Sequence, residues 1–128
     1  MSGFTSLEIC AGAGGQALGL EQAGFYHVCT VENDRDACNT LRLNRDNDLV
    51  AAKQRWNVRE DDVLNLNGAD FKGVDLVAGG VPCPPFSIAG KQLGADDERD
   101  LFPKALEIIA LADPKAVLLE NVKGLSQP

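Results

Sequence analysis

The sequence predicts an α/β domain built on a doubly wound, mainly parallel sheet that stops after a fifth strand. Two observations carry this reading. Apolar runs and helical patterns alternate along the chain, the mark of parallel strands joined by crossover helices. Between the first run and the first helix, Gly12-Ala13-Gly14-Gly15-Gln16-Ala17 fits the spacing G-x-G-x-x-A. With 128 residues, 45% of them hydrophobic, the chain can bury one core, and no repeat, low-complexity tract or linker divides it.

Thr5-Ser6-Leu7-Glu8-Ile9-Cys10 reads as the first strand. A helix follows from Gly14 to Ala23, with Ala17, Leu18 and Leu20 as its apolar positions and Gly24 as its stop. His27 to Val31 is the second strand. Asp34 then caps or opens a helix to about Asn44, with Ala37, Cys38 and Leu41 inward and Arg35, Arg42 and Arg45 outward. Trp56-Asn57-Val58 reads as a short third strand, and Val74 to Ala78 as a buried fourth, ended by Gly79, Gly80 and the prolines beyond. A polar loop reaches about Asp100, a helix runs from Leu101 to Asp113 before Pro114, and Ala116-Val117-Leu118-Leu119 is the fifth strand. Right-handed crossovers place these strands in the order 3-2-1-4-5. One side of strand 5 is then an open apolar edge, of the kind that pairs with another chain and allows a dimer.

Composition narrows the function. Lys and Arg number 12 against 19 Asp and Glu, and the net charge of −7 has the wrong sign for a self-sufficient nucleic-acid binder. No leader pattern precedes the first strand, and no apolar run approaches the roughly 20 residues of a membrane span, so the expectation is a soluble, cytoplasmic chain. The four cysteines, Cys10, Cys29, Cys38 and Cys83, form no CxxC pair, and His27 is the one histidine, so no metal site is expected and the thiols should be reduced. Cys10 and Cys29 in strands and Cys38 in a helix read as small buried hydrophobes. The run Asp96-Asp97-Glu98-Arg99-Asp100 reads as a solvated loop or a helix start.

Candidate chemistry gathers at the carboxyl edge of the sheet, where open α/β folds bind ligands. The glycines after strand 1 let a ligand approach the backbone, although a tight strand-to-helix turn also wants glycine for purely structural reasons. Glu32 lies twenty positions after Gly12, at the end of strand 2, where a carboxylate can accept from both hydroxyls of a ribose. Asp62 follows strand 3 and can reach an adenine edge. Each carboxylate taken singly is an ordinary surface group; together at successive strand ends they suit a nucleoside-bearing ligand, either a dinucleotide or S-adenosylmethionine.

After strand 4, Gly79-Gly80-Val81-Pro82-Cys83-Pro84-Pro85-Phe86-Ser87 holds a cysteine between prolines that restrict the backbone on both sides. Cys83 is either a nucleophile or a buried cysteine capping the strand. Glu120 ends strand 5, beside strand 4, and can approach Cys83; otherwise it is a capping or salt-bridged carboxylate. A thiol beside a carboxyl group suits attack on an electron-poor heterocycle such as a pyrimidine, the thiolate adding to one carbon while the acid supports the ring nitrogen that gains charge. A dinucleotide dehydrogenase would share Gly12 and Glu32 but has no use for Cys83.

The residues resemble the amino-terminal half of bacterial DNA cytosine-5 methyltransferases along nearly the whole chain. The matching blocks are Leu7 to Gly15 with Leu18 to Phe25, then Val31-Glu32-Asn33-Asp34, Asp62-Val63, Gly80 to Ser87, and Glu120-Asn121-Val122. Cys10 departs from the family, which has phenylalanine there, so an aromatic contact with the cofactor is missing from the pattern. The resemblance implies a Rossmann-like methyltransferase fold and S-adenosyl-L-methionine as cofactor. It implies a cofactor site drawn from the loop Ala11, Gly12, Ala13, Gly14 and Gly15, from Glu32 with Asn33, from Asp62 with Val63, and from Pro82 and Leu101.

By the same resemblance Cys83 attacks C6 of a cytosine flipped out of double-stranded DNA, C5 takes the methyl group, and Glu120 holds N3 and the exocyclic amine. The loop from Ser87 to Arg99 would close over the DNA and be mobile without it, and Lys91 and Arg99 are candidates to lower the thiol's pKa. The bacterial type implies a role in restriction-modification or in regulation. The family continues beyond the Glu-Asn-Val block with a target-recognition region, so residues 1–128 read as the amino-terminal part of a catalytic domain. The missing carboxyl-terminal half, or a complementing subunit, would carry the basic DNA surface. The isolated chain should have little or no activity. A tRNA-directed member of the family and a non-catalytic binding module are the alternatives.

Overall fold

The computed structural model describes residues 3–46, 56–81 and 100–120. They form a five-stranded sheet in the order β3-β2-β1-β4-β5, with every pairing parallel. The strands are β1 (Phe4–Ile9), β2 (Phe25–Glu32), β3 (Val58–Glu60), β4 (Leu76–Gly80) and β5 (Ala116–Glu120); the helices are α1 (Gly15–Gln22), α2 (Arg35–Asp46) and α3 (Phe102–Ala112). Single turns of 3₁₀ helix, Val63–Asn65 and Gly68–Phe71, lead from β3 to β4. This is the doubly wound α/β sheet that the alternating pattern predicts.

Each face of the sheet has its own cover. Leu7, Ile9, Cys29, Val31 and Val77 join Ala105, Ile108 and Ala112 of α3 in the larger core. On the other face Leu76 and Ala78 meet Leu20 of α1, while Ala17, Leu41 and Trp56 pack under Ala11. Parallel strands covered on both sides read as continuous apolar runs, which is why the strands are visible in the sequence. The buried stripe of α3 is Ala105, Ile108 and Ala112, with Leu106 outward. Cys29 and Cys38 are buried as small hydrophobes, the Cys38 thiol donating to Glu32 O at 3.2 Å.

The second strand starts two residues earlier than the sequence reading, at Phe25, and three further boundaries differ for reasons of packing. The third strand is Val58–Glu60 rather than 56–58, because Trp56 is spent on the core beside Leu41 and Ala17 while Asn57 O accepts Thr30 N at 2.9 Å to begin the ladder. The fourth strand runs on through both glycines to Gly80 instead of ending at Ala78. A Cβ on Gly79 would lie 2.4 Å from Ile9 O, so glycine here is what lets β4 close on β1. Cys10 falls just outside β1, at φ 52°, and is half-buried against the α3 side of the core. Pro82, Cys83, the loop 87–99 and the Asn121-Val122 pair lie outside the described residues.

The α1 side of the sheet carries a row of buried polar residues, Ser6, Glu8, His27 and Thr30. The ring of His27 is fixed at both nitrogens. Nε2 donates to Ala17 O at 2.8 Å, which leaves Nδ1 to accept from Ser6 Oγ at 2.9 Å. A neutral imidazole thereby ties α1 to β1 and β2, and burial pushes its pKa down. Glu8 is 1% exposed, and its Oε1 has no hydrogen-bond partner among the described residues. Burial pushes its carboxyl up to about 8. At the amino edge Asp75 Oδ2 accepts Thr5 N at 2.8 Å and Oδ1 pairs with Lys115 at 3.2 Å, holding β1, β4 and the start of β5 in register.

The two neutral buried groups set opposite limbs of a stability profile. Native Glu8 keeps a proton that the unfolded chain loses above its ordinary 4.5, so stability should fall as pH rises from 4.5 to 8. Glu8's share of the fall is on the order of 5 kcal/mol at about 1.4 kcal/mol per pH unit, and below pH 6.5 it is offset by the His27 contribution. His27 acts on the other side, since the unfolded chain takes up a proton below 6.5 that the native ring refuses. Urea unfolding across this range should show the alkaline fall in the wild type and its loss in Glu8→Gln, with the acid limb unchanged. A wild-type profile flat from pH 5 to 8 would contradict the neutral Glu8.

Candidate functional site

Between Ile9 and α1 the backbone turns through three left-handed residues: Cys10 at φ 52°, Gly12 at φ 63° and Gly14 at φ 109°. The two glycines answer different needs. A Cβ on Gly14 would meet Leu41 Cδ2 at 2.9 Å and Trp56 at 3.3 Å, so this position is closed by packing from α2 and the segment before β3. A Cβ on Gly12 would meet nothing within 4 Å among the described residues, so its backbone faces open space there. Ala11 N donates to Val31 O at 3.0 Å and fixes the loop to the end of β2.

Glu32 is the junction of the edge. Its Oε1 accepts Gly12 N at 2.8 Å and its Oε2 accepts Asp34 N at 3.0 Å, while its carbonyl accepts Asp61 N at 2.9 Å. Asp34 in turn caps α2, accepting Ala37 N at 2.8 Å. One half-buried carboxylate therefore links the glycine loop and the entry to α2. Each of its oxygens accepts one amide and keeps a lone pair for an incoming hydroxyl. Asn33 beside it is exposed.

Farther along the edge, Asp62 caps the turn Val63–Asn65 by accepting Leu64 N at 3.0 Å, with Val63 buried behind it. Its neighbour Asp61, which the sequence reading passed over, accepts from Arg59 at 3.1 Å, from Asn65 Nδ2 at 2.9 Å and from Asp62 N at 2.7 Å. The Asn65 bond, then the Arg59 bond, pulls its pKa down. Asp61 is thus the brace of this turn and Asp62 the group at its mouth. Leu101 is buried and caps α3 with its carbonyl accepting Ala105 N.

At the other end of the edge Glu120 pairs in register with Gly80, and its Oε1 lies 3.5 Å from where a Gly80 Cβ would stand. The carboxylate thus lies over the end of β4, three residues before Cys83. Glu32 and Glu120 lie on β2 and β5, separated by β1 and β4, which at about 4.8 Å per strand puts them about 14 Å apart with the glycine loop between. The edge therefore offers a carboxylate and open backbone at one end and a second carboxylate at the other. An apolar hollow lined by Phe4, Phe25 and Leu76 lies at the opposite, amino edge and has no part in this arrangement.

Glu32→Ala should strand two backbone amides at once. A loss of about 1–3 kcal/mol in urea unfolding and faster hydrogen exchange at Gly12 and Asp34 are expected. Unchanged exchange at both amides would show that the carboxylate does not hold the loop.

Comparison with known proteins agrees with this architecture. The family model for the C-5 cytosine-specific DNA methylase matches residues 4–128. The chain is 62% identical over 125 residues to the Type II methyltransferase M.NgoMIV of Neisseria gonorrhoeae, covering 98% of this chain and 38% of that protein. It is 56% identical over 128 residues to the Type II methyltransferase M.NaeI of Lentzea aerocolonigenes, covering all of this chain and 30% of that one. Among solved structures, an E. coli protein assigned as a prophage-encoded DNA modification methyltransferase superposes with a TM-score of 0.74 at 29% identity, over 97% of this chain and 33% of its own. The chain thus spans about a third of the length of the relatives it matches. Matched from β1 past the end of β5, it belongs to the C-5 cytosine-specific DNA methylase family.

Proposed function

We propose that this chain is the cofactor-binding and nucleophile-bearing part of an enzyme that methylates C5 of cytosine in double-stranded DNA, acting in the cytoplasm within a restriction-modification system. The observation that carries the reading is the junction at Glu32. A carboxylate with free lone pairs faces a glycine backbone with open space before it, and both belong to a chain of the DNA methylase family. Those groups fit the adenosine end of S-adenosylmethionine: Glu32 would accept from the ribose hydroxyls, Asp62 would meet the base, and Gly12 would let the ligand approach the loop. Asn33, Val63, Pro82 and Leu101 would complete the pocket. When bound, the cofactor supplies a methyl group on a cationic sulfur.

The residues of this chain would then divide the chemistry. The Cys83 thiolate adds to C6 of a cytosine turned out of the duplex, and the electron pair of the C5–C6 double bond moves into the ring, where C5 becomes nucleophilic. Glu120, lying over Gly80, is suited to hold N3 and the exocyclic amine, so that charge gained by the ring is met by a proton. After C5 accepts the methyl group it loses its proton to a base. The returning electron pair then expels the Cys83 thiolate.

Duplex DNA rather than tRNA is supported by the family description and by relatives that are Type II methyltransferases. The charge of −7 is accommodated if the basic DNA-reading surface belongs to the other two thirds of such an enzyme, or to a complementing subunit. The exposed side chains of Val117 and Leu118, at 43% and 46%, and the edge of β5 are where that remainder, or a second copy, would pack. Transfer of labelled methyl groups to duplex DNA by the completed enzyme tests the reading. Cys83→Ser should reduce transfer by at least about 10³-fold and change the Kd for S-adenosylmethionine by less than about threefold. Retained transfer, or a loss of cofactor binding instead, would make the cysteine structural.

A further inference from the structure

Three buried side-chain atoms have no hydrogen-bond partner among the described residues: Glu8 Oε1, Gln16 Oε1 and Trp56 Nε1. All three belong to residues around the glycine loop. Gln16 sits in the first turn of α1, Trp56 packs on Gly14, and Glu8 lies two residues before Cys10. Glu8 points to the α1 side of the sheet, because it alternates with Leu7 and Ile9 of the α3 core and shares its side with Ser6, which reaches α1 through His27. Its register neighbours are Thr30 on β2 and Ala78 on β4. Among the described residues the titratable groups on this side are His27 on β2 and, acting on it, Glu21 on α1, and neither gives Glu8 a cationic partner.

Buried polar atoms are nearly always satisfied, and an orphan calls for a reason such as a water or a ligand. A carboxyl group that is 1% exposed and without a countercharge is stable only with its proton on. Beyond the carboxyl end of β1, four residues on from Glu8, the backbone of Gly12 has open space before it among the described residues. The ligand proposed for that space brings positive charge.

We propose that Glu8 holds a proton in the ligand-free chain and releases it to solvent when a cationic cofactor occupies the glycine loop, so that cofactor binding is linked to pH. This rests on the reading of the loop as an S-adenosylmethionine site. A unit charge within about 6 Å, at an effective dielectric of about 20, would lower such a pKa by about 2, enough to ionise the group at neutral pH. Glu8 acts through the field and touches no reacting atom; it is a positioning residue.

Titration calorimetry of the chain with S-adenosylmethionine at pH 7, in phosphate and in Tris, counts the protons released on binding. Most of one proton should leave the wild type. Glu8→Gln, a neutral isostere, should bind and release fewer by that amount. The wild-type affinity should strengthen by about 25-fold in all from pH 6 to 8, and the variant's should not. Saturable binding with equal proton counts in both proteins overturns the proposal. Should the variant not fold, a wild-type affinity that is flat from pH 6 to 8 overturns it equally. Absence of saturable binding to the folded wild type would instead remove the reading of the site itself, and the proposal with it.

Discussion

The carboxylate of Glu32 is the constraint on which the rest of the edge depends. Three segments meet at this residue: the glycine loop through Gly12 N and the start of α2 through Asp34 N on the carboxylate, and the end of β3 through Asp61 N on the backbone carbonyl, which also accepts the Cys38 thiol of α2. Each bond alone is worth about 1 kcal/mol net, or more where the acceptor is charged. Their convergence on one residue makes the loop's shape a property of the sheet rather than of the loop. Gly12 can then present open backbone without being free to collapse.

The same logic explains the division of the edge. Gly79 allows β4 to approach β1 closely, and the Glu120 carboxylate lies over the Gly80 backbone on the next strand. A side chain at Gly79 would push β4 away from β1 and separate the β5 end of the edge from the glycine loop. The opposite edge is set by another carboxylate, Asp75, which joins Thr5 to Lys115 and so holds β1 and β5 on either side of β4. Each end of the sheet thus has one acidic residue that bridges non-neighbouring segments of the sequence.

Much of this was legible in the sequence because parallel strands buried on both faces leave long apolar runs, and the handedness of crossovers then orders them. Glu32 was visible too, since its distance from Gly12 matches a known arrangement, but only as an acceptor for a ligand. That it also clamps Gly12 N depends on where β2 ends relative to β1, which spacing does not contain. Trp56 misled because an aromatic next to Val58 looks like a strand, while its burial under Ala11 and Ala17 is a tertiary fact. Gly79 and Gly80 looked like a strand's end because the role of Gly79 is to admit Ile9 of β1, a neighbour that local sequence does not show. Glu8 was hidden inside an apolar run, where nothing local distinguishes a solvent-facing acid from one sealed beneath α1. Cys83 was conspicuous from its prolines alone and lies outside the described residues.

The central claim is that the Glu32-clamped glycine loop is an S-adenosylmethionine site, and amide NMR of the labelled chain titrated with that cofactor, beside NAD, tests it most directly. The account predicts saturable shifts centred on Gly12, Gly14, Asp34 and Leu64 with S-adenosylmethionine and none with NAD. Shifts of those amides with NAD, or S-adenosylmethionine shifts confined to the amino edge around Phe4 and Asp75, would contradict it.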